Sequence, residues 1–341
     1  MHARTILTLA LALLAACGSD GRETLTVYSP HGREMLQEFE RRFEAANPGV
    51  DVQWVDMGSQ EVYERIRSER ANPQADVWWG APATLFAQAE ADGMLEAFEP
   101  AWAGALPEEA RSAAGFWYGT YLTPEVIAYN TAAVSAEEAP QDWDDVLDPR
   151  WRGQVIIRDP MASGTMRTIF GMIIDRSLRA TGDTAQGFDW LRRLDAQTRD
   201  YVLNPTLLYQ KLARQEGVIT LWAMPDIEMI RELYDYPVDY VLPSSGTPLL
   251  VDAVAVVRGS RNPETARRFA EYVGADEALV AAARDFHRLP ARTDFPADSL
   301  PPRLRSARER LVPEPIDWAR LQRDGAAWMR HWDEHVRNRG G

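Results

Sequence analysis

Leu25-Thr26-Val27-Tyr28-Ser29-Pro30-His31-Gly32 is a strand-forming run cut short by turn residues, and the segments after it decide the architecture. Met35, Leu36, Phe39 and Phe43 then share one helical face, with Arg33, Glu38, Glu40, Arg41 and Glu44 largely elsewhere, until Asn47-Pro48-Gly49 ends the helix. Val50 to Val55 alternates apolar with polar as a second strand. Gly58-Ser59 turns from it into a helix carrying Val62, Tyr63 and Ile66. Asp76-Val77-Trp78-Trp79 reads as a third strand, stopped at Gly80-Ala81-Pro82 before another helix. This β-α-β-α-β-α order predicts an α/β fold with a mostly parallel sheet flanked by helices. Ligands of such sheets sit at the carboxyl ends of the strands. The loops 29–32, 57–60 and 79–82 should therefore share one edge.

A second unit begins after Phe116-Trp117-Tyr118-Gly119-Thr120-Tyr121, with Val155-Ile156-Ile157 as a strand, a helix from about Gly164, and Val218 to Trp222 as another strand. Val251 to Val257 reads as a buried strand leading back out. Asn262-Pro263-Glu264 opens a helix, with Asn as its cap and Pro in its first position. Pro290 to Pro315 is proline-rich and predicts a wrapping loop with short helices; Trp328, Trp332 and Val336, at i, i+4 and i+8 of a last helix, form a packing stripe.

Among the 341 residues Cys17 is the only cysteine, and it closes the apolar run Ile6 to Ala16, which comes after Arg4. That run is too short for a bilayer, which needs about 20 apolar residues, and it has the charged flank of a secretory signal. Leu14-Ala15-Ala16-Cys17 resembles a bacterial lipobox, so residues 1–16 are expected to be cut away as signal peptide and 17–23 to form a tether lipidated at Cys17. An ordinary signal peptide with a chance cysteine is the alternative, and a lone cysteine has no disulfide partner within the chain. The remainder amounts to about two domains of about 150 residues. A formal net charge of −14 makes nucleic acid a poor partner, since that affinity rests on Lys and Arg meeting phosphates.

Several segments resemble the extracellular solute-binding proteins of bacterial ABC importers, in the group that contains ferric-ion, thiamine and phosphorylated-sugar binders. They are Val27 to His31, Phe43 to Val52, Ala75 to Gly80, Trp143-Asp144-Asp145-Val146-Leu147-Asp148-Pro149-Arg150-Trp151-Arg152-Gly153, and Asp252 to Val257 continuing through Asn262-Pro263-Glu264. The resemblance implies a two-lobed periplasmic-binding-protein fold of type II, with residues 24–122 and 250–341 as one lobe, 123–249 as the other, and the ligand between them. It also implies a monomer without cofactor that delivers a small solute to a membrane permease driven by a cytoplasmic ATPase. The place would be the periplasmic or cell-surface side, anchored to the membrane through lipidated Cys17. The chain has no Gly-Lys-Ser/Thr phosphate loop of its own.

Ser163-Gly164-Thr165 comes after a strand and precedes a helix, so its amides and hydroxyls can face an anion at the positive helix end, with Arg167 in the first turn. The alternative is a plain Ser cap, worth about 1 kcal/mol. Ser59 carries the same ambiguity, and Gln60 beside it can reach outward. Ser29, Trp79 and Gly80 lie in the other two edge loops. Trp79 and Trp222 can each stack on a ligand face or be buried as core. His31 stands near where the family's ferric-ion binders place a histidine, and is otherwise a loop residue bonding backbone. Those iron sites also need a tyrosine pair, whose places in an ungapped alignment are taken here by Asp226 and Ile227; Tyr201 or Tyr209 would have to substitute. Asp226 would instead accept hydrogen bonds from hydroxyl or ammonium groups, or cap the helix from Ile227 onward.

The expected ligand is thus a small polar solute with phosphate or carboxylate, plus hydroxyls or an amine; ferric ion, free or chelated, is the alternative. A ligand-loaded partner of a membrane sensor is a second class of function. A secreted hydrolase is a third, opposed by the lack of Gly-x-Ser-x-Gly and His-Glu-x-x-His.

Overall fold

The computed structural model describes residues 21–339, so Cys17 and the apolar run before it lie outside the described residues. The strands β1 (Glu23–Ser29), β2 (Val50–Asp56) and β3 (Val77–Pro82) alternate with α1 (Arg33–Ala46), α2 (Ser59–Glu69) and α3 (Ala83–Ala91). β1 lies between the other two and runs parallel to both, so the loops after all three meet at one edge. The apolar stripes do what their spacing predicts: Met35, Leu36, Phe39 and Phe43 are buried on α1, and Val62, Tyr63 and Ile66 on α2. β3 does not stop at Gly80 but runs on to Pro82, with Gly80 and Ala81 both at positive φ.

After the short β4 (Leu95–Glu96) comes β5 (Tyr118–Asn130). The chain then passes through β6 (Val155–Arg158), α4 (Gly164–Thr181), α5 (Ala185–Gln197), β7 (Thr198–Val202), α6 (Pro205–Ala213), β8 (Ile219–Ala223), α7 (Met224–Tyr234) and β9 (Val238–Val241). β10 (Leu249–Val257) leads back, and after it come α8 (Pro263–Val273), α9 (Asp276–Phe286), β11 (Leu289–Pro290), α10 (Pro302–Arg310) and α11 (Trp318–His335).

The two lobes share β5. Its first half pairs with β10 and β11, and its second half, from Glu125, pairs with β8 and β9. Nothing in the residue pattern marks this strand, because Pro124 sits inside it; a proline offers no ladder donor, and here it stands where the strand changes partners. In the second lobe β6 runs parallel to both β7 and β8, which again sends the loops after three strands to one edge. Asn262 does precede α8, but its side chain donates to the Thr24 carbonyl at 2.7 Å instead of capping the helix.

The segment beyond Pro301, expected with the first lobe, makes many of its contacts with the second. Arg303 on α10 pairs with Glu228 on α7 and Asp239 on β9. The Glu314 amide donates to the Thr247 carbonyl at 2.8 Å, and the Glu314 carboxylate accepts from Arg176 and Arg179 on α4. On α11, Arg320 pairs with the buried Asp175 at 2.6 Å and the Trp332 ring meets Phe170 and Tyr201. The stripe of Trp328, Trp332 and Val336 is buried as packing. α11 also lies against α3, so this one helix touches both lobes.

Candidate functional site

A cavity of about 790 Å³ opens between the lobes, walled by the loops after β1, β2 and β3 on one side and after β6, β7 and β8 on the other. That volume suits a small molecule. The starts of α2, α4 and α6 all reach its wall, at Ser59, Gly164 and Pro205. Free amides and the helix dipole make such starts favourable for anions. Ser163 caps α4, its Oγ accepting from the Met166 amide at 3.2 Å, and Asn204 caps α6 in the same way through the Leu207 amide at 2.8 Å. Capping spends the Ser163 and Asn204 oxygens on the helix.

Arg158, the last residue of β6, supplies the charge at this end. It is 5% exposed, its Nη1 donates to the Val202 carbonyl at 3.3 Å, and its Nε has no partner. Among the described residues no carboxylate pairs with it. Burial pulls its pKa below the usual arginine value, and the nearby Asp159, Tyr209 and Glu61 oppose this only in part. Arg167, by contrast, donates to the carbonyls of Pro160 and Met161 and so braces the loop before α4.

The other end of the cavity is acidic and already bonded. Asp226, in the first turn of α7, accepts at Oδ2 from Trp222 Nε1 (2.9 Å) and Tyr209 Oη (3.0 Å), and at Oδ1 from Arg288 Nη2 (3.0 Å). Arg288 comes just after α9 on the first lobe, so this ion pair spans the cleft. Two further contacts cross it nearer the surface: Tyr234 Oη donates to Glu34 Oε1 at 2.5 Å, and His287 Nε2 lies 2.9 Å from Glu232. Burial and the nearby Asp226 charge hold the Tyr209 phenol well above its ordinary pKa.

His31 meets Trp79 and Tyr121 edge-on, at 4.7 and 5.8 Å between ring centroids, and its Nε2 has no partner. Burial, aided by Arg288, holds its pKa well below the ordinary value and keeps the ring neutral. Asp252 on β10 accepts from Thr123 Oγ1 at 2.5 Å; burial raises its pKa while Arg288 opposes the rise. Beside it Glu125 is fully buried, with the Thr165 hydroxyl near its carboxyl but no well-formed hydrogen bond, and burial together with Asp252 and Asp226 pushes that carboxyl well above the usual range.

Of the residues singled out in the sequence, His31, Ser59, Ser163, Gly164, Thr165, Trp222 and Asp226 stand together on the cavity wall. Four are placed off it. Ser29 is wholly buried, its Oγ accepting from the His31 amide at 3.2 Å. Trp79 is core, packed on Phe39 as well as His31. Gly80 backs the His31 ring so closely that a Cβ there would lie 2.7 Å from Nε2. Gln60 turns along its own helix toward Glu64. Ile227, at a tyrosine place of the iron sites, is fully buried, and among the described residues no three His, Cys, Asp or Glu gather as a metal site.

Sequence reasoning missed Arg158, Arg288 and the lining role of Asp252. Arg158 and Asp252 had a signal, a charge within an otherwise apolar strand; such residues are almost never fully buried without a reason. Arg288 had none.

Residues 38–303 match the family described as bacterial extracellular solute-binding protein. A probable ABC transporter periplasmic-binding protein, y4fP of Sinorhizobium fredii, is 28% identical over 92% of this chain and 87% of its own length. Iron uptake protein A1 of Synechocystis is 26% identical over 83% of each. Among solved structures, the periplasmic binding protein AfuA from Actinobacillus pleuropneumoniae, with fructose-6-phosphate bound, superposes with a TM-score of 0.77 at 21% identity, covering 93% of this chain and 99% of that one. At that identity the likeness is one of fold, the two-lobed type II arrangement.

Proposed function

Because the chain belongs to the bacterial extracellular solute-binding proteins, we propose that it captures a small anionic solute between its lobes and hands it to the permease of an ABC importer. The permease is driven by a cytoplasmic ATPase, and this chain performs no catalysis. Residues 24–122 and 250–341 form one jaw and 123–249 the other, with the segment beyond Pro301 reaching across to the second. Lipid on Cys17 holds this monomer to a membrane, on the periplasmic or cell-surface side.

The observation that carries the anionic ligand is Arg158, a buried guanidinium with an unpartnered Nε beside the starts of α2 and α4. A phosphate or carboxylate would supply the missing counter-charge. Hydroxyl or amine groups of the same solute would lie toward the acidic end, at Asp252 and at Asp226 if it exchanges a present donor. A relative's name speaks of iron uptake, and the unpartnered His31 Nε2 is the one feature that favours ferric ion.

Native mass spectrometry of protein from its own host identifies any retained solute, and titration calorimetry with phosphorylated and carboxylated metabolites measures it. Arg158→Gln is expected to weaken binding by about 10- to 100-fold, the worth of a charge-assisted bond. Silence from both solute sets would sink the anionic reading, and a visible charge-transfer band on adding ferric salt would replace it with iron.

A further inference from the structure

Two glycines stand where backbone of one lobe lies close against the other. A Cβ built on Gly58, just ahead of α2, would lie 2.8 Å from the Ala162 carbonyl oxygen of the opposite lobe. One built on Gly164, the first residue of α4, would lie 2.8 Å from Pro82 Cδ, 2.9 Å from Pro82 Cγ and 3.1 Å from Ser59 Oγ, again across the cleft. Carbon atoms settle at about 3.5–4.0 Å. Neither position needs glycine for its own backbone: Gly58 has φ −59° and ψ 148°, and Gly164 opens a regular helix. Within its own lobe an alanine would therefore sit at either place without strain, and at Gly164 it would favour the helix.

From this we infer that Gly58 and Gly164 are gauge residues: the lack of a side chain at these two points sets how far the lobes close, and with it the size of solute they grip. The inference rests on reading the cleft as a closing one. It also explains how the starts of α2 and α4 can face a single anion, since a methyl group at either point would hold the helix ends apart.

The Cβ at Gly164 meets a side-chain ring, which substitution can remove. The Cβ at Gly58 meets a backbone oxygen, which it cannot. The test uses the full chain with Cys17→Ser, and with Glu34→Cys and Tyr234→Cys placed across the cleft mouth, so that a short bis-maleimide traps the closed form whenever it is visited. Gly58→Ala and Gly164→Ala should each slow trapping of the ligand-free protein by about 5- to 150-fold, the overpacking range, with no fall in melting temperature. Adding Pro82→Ala should restore much of the rate in Gly164→Ala, where the Ser59 hydroxyl remains and can turn aside, and leave Gly58→Ala slow. Unchanged trapping in both glycine variants, or equal rescue of both, would overturn the inference. Inorganic phosphate, added to the parent, separates the two readings. If it fails to speed trapping, and both solute sets are silent in titration, while the glycine variants still close slowly, the anionic ligand fails and the gauge stands.

Discussion

Glu125 is fully buried, and its carboxyl oxygens make no well-formed hydrogen bond, the Thr165 hydroxyl being the side-chain partner near them. Burial and two neighbouring aspartates raise its pKa in the folded protein, so the unfolded chain sheds this proton first as pH rises from about 4.3. Stability is thereby lost progressively between the unfolded and the folded pKa, at about 1.4 kcal/mol for each pH unit between them. Glu125→Gln is neutral throughout and escapes that loss. Urea unfolding should show the variant close to the parent near pH 4.5 and clearly more stable at pH 7.5; His31, present in both, cancels. A gap of constant size would show that the proton is not the cause. Residues of this kind were the least legible in the sequence. Ser163 and Asp226 were found because they come after strands, whereas Arg288 becomes a cleft residue only once α9 packs beside α7 and brings it to Asp226.

At the scale of elements, periodicity served well wherever a helix buries one face within a single lobe, as α1, α2 and α8 do. It failed at β5, whose two halves serve different sheets and whose centre is Pro124. It failed as well for the C-terminal segment, because a stripe such as Trp328, Trp332 and Val336 tells that a helix packs and not on what. The fastening of that segment can be tested at Glu314, whose side chain is 3% exposed and holds two arginines of α4. Glu314→Ala should lower unfolding stability by about 2 kcal/mol, less than for a wholly buried pair because both arginines keep some water. An unchanged urea midpoint would show that Glu314 adds nothing to this fastening, leaving it to the Arg303 and Arg320 pairs and to apolar packing.

For the molecule as a whole, the order of elements told of two α/β units and the family resemblance implied lobes with a cleft between them, while the way the lobes meet was not legible, since it depends on atoms that residue patterns do not specify. The proposed tether is separate from the site in sequence. Cys17→Ser should move the protein from the membrane fraction to the soluble one, yet leave the same solute bound in native mass spectrometry. Loss of that solute from the folded variant would mean that anchoring and capture are linked.

The Arg288–Asp226 pair bridges the lobes using the protein's own groups. A jaw held partly by its own groups closes with a strength to which the cargo only adds. Shape alone then carries little information about cargo. What distinguishes the loaded form is dwell time, because each added 1.4 kcal/mol of bonding across the cleft lengthens closure about tenfold if reopening must break it. Fidelity in such a system is a matter of clocks more than of keys.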